Sequence, residues 1–244
     1  MPRRRAFLER IHNMFEWLND SNALIERLLR LALFIPCITV HEFAHARTAQ
    51  GFGDDTARNM GRCTLNPLAH LDLLGTICMF LGIFGWAKPV PVNPMNLRPQ
   101  RMGNIMVSLA GPMSNVGMAL FTGLTLRAIY AHYNNEELLA NPALMWTATC
   151  LYYMFAINII LAVFNMIPLF PLDGHHILRE MIPAQYQMGF MHWQVRYGMM
   201  ALLAIVFLPG FLPGNQMDPV SYLYHHALSI AQNLIIYPHL RSAS

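Results

Sequence analysis

His41, Glu42 and His45 form an H-E-x-x-H pattern inside the apolar run 34–46. On a helix, residues four apart differ by about 40° around the axis, so His41 and His45 point the same way. Two imidazoles one turn apart can hold one zinc ion, and a carboxylate directly after the first can take a proton from the water that such an ion activates. Placing His-Glu-His in an apolar segment is unfavourable unless the groups are paired or metal-bound. The competing reading is a pair of core histidines beside a salt-bridged glutamate.

A catalytic zinc takes three protein ligands and keeps one position open for water or substrate. Asp173 is the candidate third ligand. It ends an apolar helix after Pro168 and Pro171, which break that helix and could turn the carboxylate inward, and Gly174 beside it allows a tight turn. A helix-terminal aspartate facing water is the alternative.

The elements that must carry these residues are apolar. Of the 244 residues, 55% are hydrophobic and 12% charged, about half the charge of a soluble domain, which argues for a membrane protein. The net charge of +3 comes partly from Arg3, Arg4, Arg5 and Arg10 and forms no basic stripe, so a nucleic-acid partner is excluded. Cys37, Cys63, Cys78 and Cys150 are scattered with no C-x-x-C pair, giving neither a disulfide framework nor a cysteine zinc site. The start does not read as a secretory signal, because polar residues 19–22 separate the arginines from the apolar run.

Taken in order, residues 6–18 show an interfacial amphipathic helix or, equally, an ordinary packing helix. Residues 1–22 are accordingly set apart from a single membrane-embedded domain over 23–244. The first spanning segment is expected over 24–49, with Ser21 or Asn22 as cap. A polar loop over 50–70 leads into 71–86, sixteen residues where a span needs about 20. Pro89, Pro91 and Pro94 then exclude a helix. A short apolar run turning into a proline-rich one suggests a segment that enters the membrane and leaves on the same side. Further apolar runs cover 104–130, 143–170, 193–212 and, more weakly, 220–240. The expected fold is an all-α polytopic membrane protein with about five to six membrane segments and a re-entrant Pro-rich loop.

Loop charge orients the chain. The loop 131–142 carries Glu136 and Glu137 and no Lys or Arg, so it is expected outside, with Lys88, Arg98, Arg101, Arg179 and Arg196 in the cytoplasm. If 71–86 spans, His45 and Asp173 lie on opposite sides. If it is re-entrant they reach similar depth and can share one metal, at the expense of placing the N-terminal arginines outside. The shared site is the expectation adopted.

Several stretches, in this order, resemble the site-2 protease family of intramembrane zinc metalloproteases: H-E-F-A-H-A from His41, a G-D-x-T-A-like stretch from Gly53 with one extra Asp, and G-R-C-T-L-N-P-L-A-H-L-D from Gly61. These are followed by G-W-A-K-P-V-P-V-N-P from Gly85, A-G-P-M-S-N from Ala110 and N-M-I-P-L-F-P-L-D-G from Asn165. The resemblance is to the compact subgroup, without a PDZ or nucleotide-binding insertion. It implies that His41, His45 and Asp173 ligate one Zn2+ per chain, and that Glu42 is the general base that later passes its proton to the leaving amine. It also implies that Asn115 and Asn165 sit near the catalytic centre, holding substrate or stabilising the oxyanion, and that the Gly85 stretch pairs with an unwound substrate. A departure follows Gly174, where His175 and His176 could be interfacial, could support the ligands or could form a spurious metal site; interfacial positions are expected. His70 is expected to order its loop rather than to ligate.

The implied function is regulated intramembrane proteolysis: hydrolysis of peptide bonds in a transmembrane-helix substrate, within the lipid bilayer of a bacterial plasma membrane, with the active site toward the cytoplasm. Two other classes compete. A non-proteolytic scaffold has no need of His41, Glu42, His45 and Asp173 together, and a metal transporter would call for polar ligands along the 104–130 helix, which offers almost none. The oligomeric state, a homo-oligomer included, stays open.

Overall fold

The computed structural model describes residues 21–81, 85–207 and 219–236. The expected helix over 6–18 lies outside the described residues, as do 208–212 and 237–240 at the ends of the last two apolar runs. Among the described residues every regular element is helical, and the extended backbone makes one isolated antiparallel bridge.

Helix α1 (Ser21–Gly51) has 31 residues, α4 (Gln100–His132) has 33 and α6 (Pro142–Asn165) has 24. Of the described helices, α4 and α6 are long and apolar enough to cross a membrane. Between α1 and α4 lie α2 (Thr56–Asn59) and α3 (Leu73–Phe80); between α4 and α6 lies α5 (Asn135–Ala140), started by a capping box of Asn134 and Glu137. After α6 come α7 (Asp173–Met181), α8 (Ala184–Trp193), a π-helical turn (Gln194–Gly198), α9 (Met199–Phe207) and α10 (Pro219–Ala231), the last continued by a π-helical turn to Ile236.

The three long helices pack together. Phe34, Cys37 and Ile38 of α1 are buried with Leu161 of α6, while Ala119 and Leu126 of α4 bury against Phe155 of α6 and Leu228 of α10. Tyr153 donates its hydroxyl hydrogen to Glu26 and Asn158 lies against Cys37, so α1 and α6 run in the same direction. His41 meets Asn115 and His45 meets Val107, so α4 runs the opposite way.

Three expectations change in detail. The apolar run 143–170 stops being helical at Asn165, because Pro168 and Pro171 have no N–H to continue the ladder. Asp173 therefore does not end a helix; it begins α7, where a carboxylate suits the positive end of the helix dipole. The run 193–212 begins inside a longer helical stretch, in which α8, the π-helical turn and α9 follow without a break from Ala184 to Phe207. In the stretch 71–86, α3 has eight residues and spans about 12 Å at about 1.5 Å per residue. Leu71 then bridges Ala87, and the Lys88 amide donates to the His70 carbonyl at 2.8 Å. The two ends of this excursion thus lie side by side.

Candidate metal centre

The i, i+4 spacing on α1 delivers His41 and His45 to one point, their Nε2 atoms 3.0 Å apart and their rings edge-on. Both residues are buried. The sharp turn after α6 brings Asp173 to the same point, with Oδ2 at 3.3 Å from each Nε2. The ligand-capable atoms of these three residues lie within 4.8 Å of one another.

The hydrogen bonds on the far side of each ring decide what these atoms offer. His41 Nδ1 lies 2.6 Å from Asn115 Oδ1, and His45 Nδ1 lies 2.7 Å from the Val107 carbonyl. Both oxygens accept, so each Nδ1 carries a hydrogen and Nε2 is the atom that each ring presents to the other and to Asp173. Asp173 Oδ2 is buried and has no polar neighbour beyond these two rings. Three such atoms converging away from water call for a proton or a metal cation among them. Three ligands at about 2.0–2.1 Å from a tetrahedral zinc stand about 3.3 Å apart, and the observed triangle has edges of 3.0, 3.3 and 3.3 Å. The donor set therefore fits zinc.

Two glycines make room for this convergence. A Cβ on Gly111 would overlap His45 Nε2 and come within 2.6 Å of His41 Nε2, so the A-G-P stretch lets α4 lie directly against the histidine pair. Gly174 serves close packing rather than a turn: a Cβ there would collide with the backbone of Met166 and Ile167, on which the first turn of α7 rests. Helix α7 is also fixed at its far end, where buried Asn104 donates to Glu180 Oε1 at 3.0 Å. Gln194, buried in the π-helical turn, accepts from the Phe170 amide and donates to the Pro168 carbonyl, both at 2.8 Å, and so pins the turn that ends at Asp173.

Glu42 is buried, and its Oε2 accepts the Val90 amide at 2.9 Å. The Pro-rich segment is thereby tied to α1, and it is held at three further points. Arg62 donates to the Lys88 carbonyl at 2.6 Å, His70 holds the Lys88 amide through its carbonyl, and Asp54 accepts from the Asn93 amide at 2.7 Å and from Asn96 Nδ2 at 2.9 Å. His70 is fully buried and donates from Nε2 to the Thr64 carbonyl, the loop-ordering role expected of it.

Asn115 is fully buried, with its oxygen on His41 and its nitrogen donating to Asn158 Oδ1 and, at 3.4 Å, to the Cys37 carbonyl. Its amide is thus engaged behind the histidine. Asn165 is partly exposed at the end of α6 and donates to the Leu161 carbonyl. The interfacial position expected for His175 is not observed: it is buried, with Nδ1 donating to the Leu172 carbonyl and its ring packed between Phe170 and His176. The helical phase of α7 forces this, because Asp173 faces the histidines and the next residues turn into the bundle. Val107, Gly111, Asn158 and Gln194 join the site unannounced by any ligand spacing.

The chain matches the model of Peptidase family M50 over residues 129–208. It is 43% identical over 153 residues to "Putative zinc metalloprotease YwhC" of Bacillus subtilis, an alignment covering 61% of this chain and 67% of that protein. It is 32% identical over 181 residues to "Putative zinc metalloprotease Rip2" of Mycolicibacterium smegmatis, covering 67% of this chain and 64% of the relative, and 26% identical over 200 residues to the protein of the same name in Mycobacterium tuberculosis. No solved structure matches the chain.

Proposed function

The chain is a zinc metalloprotease of peptidase family M50, and from that premise we propose that it hydrolyses peptide bonds in the transmembrane segments of other proteins. In this reading His41, His45 and Asp173 hold the zinc and Glu42 is the general base. The observation that carries it is the buried triangle of two imidazole nitrogens and a carboxylate oxygen, drawn from helices separated by more than a hundred residues of chain.

A zinc ion held there supplies Lewis acidity, which polarises a carbonyl and makes water acidic enough to ionise near neutral pH. The residues of the chain do the rest. Glu42 takes the proton from the attacking water and returns it to the leaving amine, and its contact with the Val90 amide keeps the carboxylate aimed. His41 and His45 are held in the ligating tautomer by Asn115 and Val107. For Asn115 the bonds support a place behind His41 rather than on the oxyanion. Asn165, at the exposed end of α6, stays a candidate for contact with substrate.

The membrane setting of the reading is supported by the apolar length of α4 and α6. The paired ends of the 71–87 excursion support a re-entrant Pro-rich loop, which would leave extended backbone for an unwound substrate to meet. Arg58, Lys88, Arg98, Arg101 and Arg179 lie in the segments at the same end of the bundle as the triangle, while the other end carries Glu136 and Glu137 in its loop and Arg27, Arg30 and Arg127 in its helices; the loop charges support a centre toward the cytoplasm. The reading keeps a single membrane-embedded domain over 23–244, and the bacterial sources of the relatives favour a bacterial membrane. The test is cleavage of a membrane-spanning substrate by protein in liposomes: Glu42→Gln should abolish it, and retained cleavage would remove Glu42 as base.

A further inference from the structure

Asn115 and Asn158 are both fully buried where α1, α4 and α6 meet, beside a core built from Phe34, Ile38 and Leu161. Apolar packing has no use for two amides there, and such groups are tolerated only when their donors and acceptors are met. Their bonds run in a single direction. Asn158 Nδ2 donates to the Met154 carbonyl at 2.8 Å and lies 3.2 Å from Cys37 Sγ. A carbonyl only accepts, so this end of the amide is the NH2 group and Oδ1 is turned toward Asn115. Asn115 Nδ2 donates to that oxygen at 2.7 Å. Asn115 Oδ1 is left facing His41 Nδ1 at 2.6 Å, which puts the ring hydrogen on Nδ1 and the lone pair on Nε2.

Reversing the amides reverses the outcome. An Asn158 oxygen turned to the Met154 carbonyl would set acceptor against acceptor, and a flipped Asn115 would do the same with the Cys37 carbonyl. Asn115 would then donate to His41 Nδ1, leaving the hydrogen on Nε2, where it blocks ligation. The geometry points to Asn158 as a positioning residue of the metal centre: acting through Asn115, it holds His41 in the tautomer that presents its Nε2 lone pair to zinc. The inference rests on His41 being a ligand, as proposed above.

The test measures zinc affinity by chelator competition on the detergent-purified full chain, with the melting temperature of the metal-free protein recorded on the same samples. Asn158→Leu removes the shorter of the two bonds that orient the Asn115 amide, leaving the 3.4 Å contact to the Cys37 carbonyl, and affinity should fall roughly 10- to 100-fold, the range for losing an outer partner of a ligating histidine. A merely structural Asn158 lowers stability without moving the hydrogen of His41, so histidine nitrogen NMR of the metal-free Asn158→Leu variant separates the two roles: hydrogen shifted toward Nε2 of His41 supports the proposal, and hydrogen held on Nδ1 as in the wild type refutes it. Wild-type zinc affinity in Asn158→Leu would overturn the proposal as well. Histidine nitrogen NMR of the metal-free wild type gives a second reading that needs no variant: hydrogen on Nδ1 of His41 supports the proposal and hydrogen on Nε2 refutes it. His41→Ala is the control. Undiminished zinc binding in that variant would remove His41 as a ligand, a different failure from an intact His41 that ignores Asn158.

Discussion

The Val90 amide donates to the Glu42 carboxylate at 2.9 Å, joining the Pro-rich segment to the helix that carries both histidines. In the proposed mechanism this backbone N–H aims the base. Val90→Pro deletes that donor in a segment already rich in proline. A hydrogen bond to a charged group contributes about 1.5–3 kcal/mol, so turnover should drop about 10- to 100-fold while zinc content stays at the wild-type level. Parallel activity and zinc assays check this, and unchanged turnover would show that the contact has no part in catalysis.

Asp54 anchors the other end of the same segment. Burial alone pushes its carboxyl upward, but hydrogen bonds from Thr56, Asn96 and Asn93 outweigh burial and hold it below the ordinary aspartate value. A pKa lowered by folding contributes stability that is present above the unfolded value of about 3.9 and is lost as pH falls below it. Thermal stability in detergent should therefore decline at acid pH, and Asp54→Asn should flatten that decline and lower stability by about 1–3 kcal/mol at neutral pH. Melting curves across pH measure both, and a variant with the wild-type pH profile would contradict the anchoring role.

Gly111 lies where α4 touches the histidine pair, and any Cβ there enters the space between the Nε2 atoms. Gly111→Ala should leave a folded helical protein whose zinc affinity falls by about tenfold or more, the scale of a disturbed ligand shell. Circular dichroism beside chelator competition separates the two effects. Wild-type affinity in this variant would mean that α4 can move away freely.

The catalytic motif was legible in the sequence because its spacing is local: four residues on one helix fix the relation of His41 to His45 whatever surrounds them. Asp173 was legible for a different reason, as an acidic residue set beside helix-breaking prolines. Its place at the start of α7 could have been read as well, since a carboxylate favours a helix N-terminus. Asn158 gave a weaker signal, an amide in the middle of an apolar helix, whose meaning depends on Asn115 some forty residues earlier in another helix. Asp54 and Gln194 act through backbone groups of distant loops, and no residue spacing encodes such contacts. His175 was misplaced because its polarity suggested an interface, whereas the phase of α7 turns it into the bundle.

The central claim is that residues from α1 and α7 hold one zinc while Glu42 serves the reaction without holding it. Zinc content by elemental analysis of detergent-purified wild type, Asp173→Asn and Glu42→Gln tests it most directly. The account predicts stoichiometric zinc in the wild type and in Glu42→Gln, and a clear loss in Asp173→Asn. Zinc retained by Asp173→Asn, or lost from Glu42→Gln, would contradict it.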